Sequence, residues 1–250
     1  MNKNFIDENR AVLYVSGDDA STFLQGLITN DIYKANCDDW IYALLLTPQG
    51  KIIADLFIQK DESGYILDCP KSELESIMMK FSLYKLRSDV SFVCCDEKSI
   101  LICDDGYEDP RHKELWKRSI VKSKKSNSIY QDEYHVIRMK LKIPDFSMDL
   151  WPEKFFPHEL GMNNLHAIDY AKGCYVGQEV TARVEYRGVV RKVIHLVSLT
   201  NPNKGELIIS TDERSVGIIL GHVGEVALSI IKEGELNGLT SAGQDVIILE

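Results

Sequence analysis

Short runs of aliphatic and β-branched residues alternate with a helical pattern over residues 11–103. The runs have the length and composition of β-strands, and turn-forming residues separate them. Leu74, Ile77, Met78 and Phe81 recur at the spacing of one helix face, which predicts an amphipathic helix over residues 71–85. The strands predicted in this part of the chain cover residues 11–15, 41–46, 52–58, 91–94 and 100–103.

Two further helices are predicted in the middle of the chain. Asp109 followed by Pro110 is typical of a helix start and predicts a helix that reaches Val121. A third helix is predicted to begin near Asp132 and to end before Pro144, because the residue before a proline disfavours helical geometry. Strands followed by helices, with few strand–helix–strand units, favour an α+β fold over a doubly wound sheet.

After residue 188 the pattern changes to short β-like segments, and no helical pattern separates them. Several short strands must close or stack to hide their edges, so we predict a small antiparallel β-barrel. The chain is therefore predicted to contain an α+β domain at residues 1–188 and a barrel domain at residues 189–250. The predicted barrel strands cover residues 189–199, 206–209, 215–221, 225–231 and 245–249.

Composition and charge narrow the function classes. The formal charge of −9 argues against a large nucleic-acid surface, and no apolar run approaches the ~20 residues of a membrane span. The six cysteines show no Cys-x-x-Cys pair, so we expect reduced thiols, no metal site and a cytoplasmic protein whose N-terminus is not a signal peptide. Residues 122–128 are rich in lysine and serine, which indicates a solvated loop or, alternatively, a contact for a phosphate.

The most informative stretch reads Lys-Gly-Cys-Tyr-Val-Gly-Gln-Glu at residues 172–179. Gly173 and Gly177 allow a tight loop around Cys174, and a cation such as Lys172 would stabilise a thiolate if the fold brings it near. Alternatively, Cys174 is a small buried side chain in a glycine turn, as many free cysteines are.

This octapeptide resembles the signature of the YgfZ family, the folate-binding relatives of the glycine-cleavage aminomethyltransferase. The resemblance extends in order over residues 16–188. It implies a folate-binding α+β domain with a central cavity, followed by a C-terminal barrel. The other motifs that carry it include Phe23-Leu24-Gln25-Gly26, Thr29-Asn30-Asp31, Thr47-Pro48-Gln49-Gly50-Lys51-Ile52, Tyr84-Lys85-Leu86-Arg87-Ser88 and Phe156-Pro157-His158-Glu159.

The resemblance also implies tetrahydrofolate or a derivative as cofactor. Tyr134, Arg138, Asp55 and Glu159 are the candidate binding residues, with Arg138 as the cation for the acidic tail. From the residues alone, Tyr134 and Arg138 also suit a surface helix with an aromatic anchor, and Glu159 suits a loop cap. Lys140 stands where the family has a glutamate, and a lysine cannot accept hydrogen bonds from a pterin.

Three functions follow as hypotheses. By resemblance, the chain supports iron–sulfur cluster assembly or repair in client enzymes, including tRNA-modifying enzymes, with Cys174 and Lys172 as the catalytic candidates. The first alternative is a tetrahydrofolate-dependent aminomethyltransferase, and the second is a non-catalytic adaptor that binds clients and has lost folate. Expected partners are a folate-type small molecule and iron–sulfur enzymes, with no direct nucleic-acid contact and no membrane.

Overall fold

The computed structural model describes residues 3–122 and 128–249, so most of the lysine- and serine-rich run at 122–128 lies outside the described residues. The strands are β1 (Asn4–Asp7), β2 (Arg10–Ser16), β3 (Ile41–Leu46), β4 (Ile52–Asp61), β5 (Gly64–Pro70), β6 (Ser91–Cys94), β7 (Ser99–Cys103), β8 (Lys117–Val121), β9 (Lys192–Ser198), β10 (Leu207–Ile209), β11 (Ser215–Val223), β12 (Val226–Lys232), β13 (Thr240–Ser241), β14 (Gln244–Asp245) and β15 (Ile247–Leu249). The α-helices are α1 (Ala20–Gln25), α2 (Leu74–Lys85), α3 (Gln131–Lys140), α4 (Phe146–Asp149) and α5 (Gln178–Arg187).

A five-stranded antiparallel sheet, in the order β3-β4-β5-β2-β6, forms the centre of the N-terminal part. Along β3 the even-numbered side chains pack toward α3 and β12, and the odd-numbered ones pack toward α1 and α2. Because both faces of the sheet are covered, β3 appears in the sequence as an unbroken apolar run. The predicted strands at 11–15, 41–46, 52–58, 91–94 and 100–103 are confirmed as β2, β3, β4, β6 and β7, whereas β1 and β5 were not predicted.

The helix predicted from Asp109 and Pro110 to Val121 is wrong, because the chain turns there and then forms β8, antiparallel to β7. The Asp109 Oδ1 atom accepts hydrogen bonds from the backbone N–H and the Nε–H of Arg111 at 3.0 and 2.9 Å. An aspartate that binds its near neighbour in this way forms a turn and is not free to cap a helix. The strand that follows brings Arg118 to Asp68 on β5.

The helices around the sheet were predicted unevenly. Helices α2 and α3 confirm the amphipathic patterns at 71–85 and near Asp132. Helix α5 was not predicted because its sequence shows no apolar face. In agreement with this, Thr181 is its only buried residue. No helix in the described ranges is both long enough and apolar enough to cross a membrane.

The C-terminal strands form a seven-stranded antiparallel sheet in the order β14-β13-β10-β11-β12-β9-β15. Its two edge strands, β14 and β15, are separated in the chain by a single residue, Val246, so the sheet curls back toward itself. No helix is present in the described residues 189–249, which confirms the predicted barrel-like sheet. Val197 and Ala227 belong to the apolar core of this sheet itself, whereas Leu196 and Leu228, on the opposite face, belong to the same apolar cluster as Tyr134. The domain boundary at residue 188 stays a prediction.

Candidate functional site

The loop that carries Cys174 is held by a buried ammonium group. The side chain of Lys172 is buried, and its Nζ donates hydrogen bonds to the carbonyl oxygens of Gln25, Ile28 and Asn30 at 2.8, 2.7 and 2.9 Å. Burial lowers the pKa of Lys172 to about 8, although the nearby carboxylates of Asp31 and Asp169 oppose this shift. The ammonium therefore stays mostly charged at neutral pH and ties the loop to the segment after α1.

Gly177 of the octapeptide fixes the other end of the same loop. Gly177 has a φ of +85° and precedes α5, and a Cβ at this position would lie only 2.6 Å from the carbonyl oxygen of Thr47. On the facing turn, a Cβ on Gly50 would lie 3.0 Å from that of Val180. Glycine is required where backbones approach this closely and φ is positive. Gly173 has open space around it and carries no such constraint.

Three motifs that are far apart in sequence thus meet at one loop. The Val176 N–H donates to the Gly26 carbonyl oxygen at 3.1 Å, which adds a main-chain bond to the contacts of Lys172 and Gly177. Nearby, the Thr29 hydroxyl donates to the Ala167 carbonyl oxygen at 2.6 Å. These contacts explain in physical terms why the Phe-Leu-Gln-Gly, Thr-Asn-Asp and Thr-Pro-Gln-Gly-Lys runs accompany the cysteine motif.

The result of this arrangement is an exposed thiol at a fixed position. Cys174 is exposed, whereas Tyr175 beside it is buried over Lys172, whose Nζ lies 5.0 Å from the ring centroid. The alternative that Cys174 is a buried turn residue is therefore wrong. Lys172 donates three hydrogen bonds from Nζ to backbone carbonyls, and its catalytic role stays a prediction.

Most of the other cysteines are less exposed than Cys174. Cys69 and Cys103 are buried, and burial raises the pKa of Cys69 to about 12 and the pKa of Cys103 above its usual range. Burial and Asp96 likewise raise the pKa of Cys94. Cys37 is exposed and so provides a natural control for Cys174. Within the described ranges, no group of three or more His, Cys, Asp or Glu side chains is arranged to hold a metal ion.

The residues predicted to bind folate are occupied by contacts within the protein. Arg138 is fully buried, and its guanidinium forms an ion pair with Asp149. Its Nε donates a hydrogen bond to Nδ1 of His135 at 2.8 Å, and its Nη1 donates one to the Ile143 carbonyl oxygen at 3.2 Å. The Oε2 atom of Glu159 accepts from the N–H of Phe156 at 2.9 Å, which is the capping role that the sequence left open.

Asp55 and Tyr134 belong to a buried network of ion pairs that the sequence analysis missed. Asp55 accepts from Arg10 at 2.6 Å and from the Tyr42 hydroxyl at 3.2 Å, and Arg111 donates to the Tyr134 hydroxyl at 3.0 Å. Burial would raise the pKa of the neighbouring Asp109, but Arg111 and Arg118 together outweigh it and hold that pKa below its usual value. The network continues through Asp68, which binds both Arg10 and Arg118.

These contacts decide whether the four residues fit a folate. Asp55, Tyr134 and Arg138 are at most 2% exposed, and the guanidinium groups that pair with the carboxylates come from the chain itself. A pterin or a glutamate tail would have to displace these ion pairs, and unpaired buried charges are strongly unfavourable. In this arrangement the four residues do not fit the cofactor, and tetrahydrofolate binding stays a prediction.

A polar cluster at the far end of α5 was also missed. His158 Nε2 lies 2.9 Å from the Tyr170 hydroxyl and 3.2 Å from Oε2 of Glu185. Burial lowers the pKa of His158, while Glu185 opposes the shift. The cluster connects α5 to the turn at Pro157–Leu160, and the Phe-Pro-His-Glu run was the available signal.

Comparisons with known proteins agree with this architecture. No protein-family model matches the chain. It is 31% identical over 224 residues to the protein named iron-sulfur cluster assembly factor IBA57 homolog, mitochondrial, of Neurospora crassa, an alignment that covers 74% of this chain and 51% of that protein. It is 24% identical over 278 residues to the mouse iron-sulfur cluster assembly factor IBA57, mitochondrial, covering 92% of this chain and 78% of that protein. The resemblance to the YgfZ family is therefore confirmed.

Two facts limit what these similarities show about the chain. The chain spans about half the length of the first curated relatives that it matches, all named IBA57 homologues of fungi. The solved structure of the glycine cleavage system aminomethyltransferase T from Bartonella henselae matches with a TM-score of 0.70 at 12% identity, covering 99% of this chain and 84% of that one. This structural likeness confirms the predicted aminomethyltransferase-like α+β fold.

Proposed function

We propose that this YgfZ-family chain supports iron–sulfur cluster assembly or repair in client enzymes and that Cys174 is the group through which it acts. The observation that carries the proposal is the exposed Cys174 thiol on a loop fixed by Lys172, Val176 and Gly177. The relatives are named iron-sulfur cluster assembly factors, which supports the same class of function.

The chemistry of one exposed thiol limits what the chain does alone. Iron–sulfur clusters are usually held by four cysteine thiolates, and Cys174 supplies one. The described residues hold no group of three or more side chains that could bind a metal ion, and we propose that another protein supplies the remaining ligands. In this proposal the cluster is cargo, and Cys174 contacts it only in a complex with that protein. Lys172 acts by positioning the loop.

The proposal is tested in a strain that lacks this chain. We expect lower activities of iron–sulfur enzymes and unchanged activities of enzymes that contain no cluster. Expression of the wild-type chain should restore the iron–sulfur enzyme activities to normal. Levels of thiolated tRNA test the finer proposal that tRNA-modifying enzymes are among the clients. Unchanged iron–sulfur enzyme activities would contradict the proposed function.

Folate binding distinguishes the folate-dependent hypotheses from the adaptor hypothesis. An aminomethyltransferase needs a folate-binding carboxylate, whereas Asp55 is paired with Arg10 and Tyr42. We therefore favour a mechanism without folate at these residues, which is closer to the adaptor hypothesis. Titration with tetrahydrofolate, followed by tyrosine and tryptophan fluorescence, should show no saturable binding. Tight saturable binding that is lost in Arg138→Ala would restore the folate-dependent mechanism.

The cellular location belongs to the same proposal. We propose a cytoplasmic chain because its six cysteines are predicted to be reduced thiols, whereas the names of the relatives place those proteins in mitochondria. Fractionation of cells that express the tagged chain decides between the two compartments.

A further inference from the structure

Helix α5 is attached to the rest of the chain by polar contacts rather than by an apolar face. Among its ten residues, all of them described, only Thr181 is buried. Glu185 lies one helical turn after Thr181, so both side chains lie on the side of the helix that faces the protein. The helix begins four residues after Cys174, so a movement of α5 would displace the loop that carries the thiol.

His158, Tyr170 and Glu185 join the two chain segments on either side of that loop, and we name these three residues the His158 clamp. Tyr170 lies four residues before Cys174, and Glu185 lies eleven residues after it. Both reach the same ring nitrogen, because His158 Nε2 is 2.9 Å from the Tyr170 hydroxyl and 3.2 Å from Oε2 of Glu185. The side chain of His158 is only 5% exposed, so both segments are bound to one buried ring.

The other ring nitrogen of His158 indicates where the protons of the clamp lie. Nδ1 is buried and has no hydrogen-bond partner among the described residues. A proton on Nδ1 would be a buried donor without an acceptor, so the neutral ring carries its proton on Nε2 and donates from there. Tyr170 in turn donates to Glu185, and burial, the charge of Glu185 and this hydrogen bond raise the pKa of Tyr170. The Glu185 carboxylate is thus the acceptor that completes the clamp.

A second tyrosine beside the thiol also contacts α5. Tyr175 follows Cys174 directly and is buried. Burial raises the pKa of Tyr175 to about 12, and a hydrogen bond with the side chain of Thr181 opposes this shift. The two inward-facing residues of α5, Thr181 and Glu185, therefore each bind a tyrosine of the segment that carries the cysteine.

We propose that the His158 clamp positions the Cys174 thiol by holding α5 and the segment before the loop against one buried ring. This inference rests on the proposed function, because the position matters only for a thiol that acts. His158 is a positioning residue and does not itself contact the iron–sulfur cargo. Without the clamp, Thr181 is the remaining buried side chain of α5, so the helix and the loop should open locally while the rest of the chain stays folded.

The clamp is tested on the full chain by hydrogen exchange and by alkylation with iodoacetamide, each followed by mass spectrometry. Glu185→Ala should raise the exchange rate of the α5 amides by about tenfold, as expected for the loss of hydrogen bonds to a charged group. It should also shift the alkylation rate of Cys174 by at least about threefold. Tyr170→Phe removes only the hydroxyl and should act in the same direction. Combined with Glu185→Ala it should add little, because both changes break the same clamp.

Two controls separate positioning from a merely structural role. Glu179→Ala changes the same residue type on the outer side of α5, where Glu179 is 83% exposed in an ion pair with Arg183. It should change the exchange rate by less than about threefold. The buried thiol of Cys69 reports global unfolding, so its alkylation rate should stay at the wild-type value in every variant.

The conservative variant Glu185→Gln keeps an acceptor oxygen and should lie between the wild type and Glu185→Ala in both measurements. Equal effects of Glu185→Ala and Glu179→Ala, or a parallel rise in Cys69 alkylation, would overturn the clamp. In the strain that lacks this chain, Glu185→Ala at normal expression should reduce recovery of iron–sulfur enzyme activity. Full recovery by Glu185→Ala where Cys174→Ser fails would overturn the positioning role, whereas full recovery by Cys174→Ser would overturn the proposed function.

Discussion

Lys172 is a buried charge that holds the Cys174 loop in place. Its ammonium occupies a cage of backbone carbonyl oxygens from Gln25, Ile28 and Asn30, and it holds the Cys174 loop against the segment after α1. The octapeptide identified this residue from the sequence, but only the fold shows that its partners are carbonyls rather than the thiol. The distinction depends on contacts more than a hundred residues apart, which local sequence does not encode.

Replacing Lys172 by methionine tests this role. The variant keeps the aliphatic stem but leaves three buried carbonyl oxygens without their donor, so the free energy of unfolding should fall by about 3 kcal/mol. The matched control is Lys34→Met, which removes an exposed ammonium paired with Asp169 at 2.6 Å. This variant should lower the free energy of unfolding by less than about 1 kcal/mol. Urea unfolding of both variants provides the measurement. Equal small effects would show that the carbonyl cage contributes little.

The two glycines beside Cys174 give a second prediction. Gly177→Ala should lower the free energy of unfolding by about 2–4 kcal/mol, because its Cβ would meet the Thr47 carbonyl oxygen and φ is +85°. Gly173 has open space around it, so Gly173→Ala should change the free energy of unfolding by less than about 1 kcal/mol. The rate of Cys174 alkylation, measured by mass spectrometry, should also differ from the wild-type rate more in Gly177→Ala than in Gly173→Ala. Similar stability of the two variants would contradict the close contact between the motifs.

Whole helices and strands differ in how far the sequence predicts them. β3 was predicted with its observed ends because both faces of the strand are buried and its apolar run is continuous. β8 was mistaken for a helix because Asp109 binds Arg111 instead of capping. The ion pairs around Asp55 and Asp68 could not be predicted, since they require the register of β2 against β5 and the approach of Arg118 from a second sheet.

Helix α3 gives a prediction about pH. Burial, with help from Arg138, lowers the pKa of His135 to about 4, while Asp145 opposes the shift. Below the ordinary value of 6.5 the unfolded chain takes up a proton that the folded chain does not, so stability should fall as the pH decreases from about 6.5 to 4, by about 3 kcal/mol in total. Urea unfolding across this range should show the loss in the wild type and a smaller slope in His135→Gln. Identical slopes would contradict the assignment.

The whole molecule is held together by a core that crosses residue 188. Leu196, Leu220 and Leu228 from the C-terminal sheet pack in one apolar cluster with Tyr134 and Leu160. Asp149, the partner of Arg138, also lies against β11, where a Cβ on Gly221 would be 1.9 Å from its Oδ1 atom. The change in pattern after residue 188 marks a change of architecture but does not by itself show that the two parts fold independently.

A truncated chain tests this dependence. Residues 1–188 alone would expose the shared apolar cluster and the Arg138–Asp149 pair, so we expect no cooperative unfolding transition for this fragment. Circular dichroism during urea titration, compared with the full chain, provides the measurement. A cooperative transition with a midpoint close to that of the full chain would show that the predicted boundary separates independent domains.

The Cys174 thiol is the group through which we propose that this protein acts. The most direct test expresses Cys174→Ser and the matched exposed control Cys37→Ser, each at the wild-type level, in a strain that lacks this chain. Because serine keeps the size but removes the soft, metal-binding thiolate, Cys174→Ser should unfold like the wild type and fail to restore iron–sulfur enzyme activity. Cys37→Ser should restore it. Full recovery of these activities by Cys174→Ser would show that the thiol is not required.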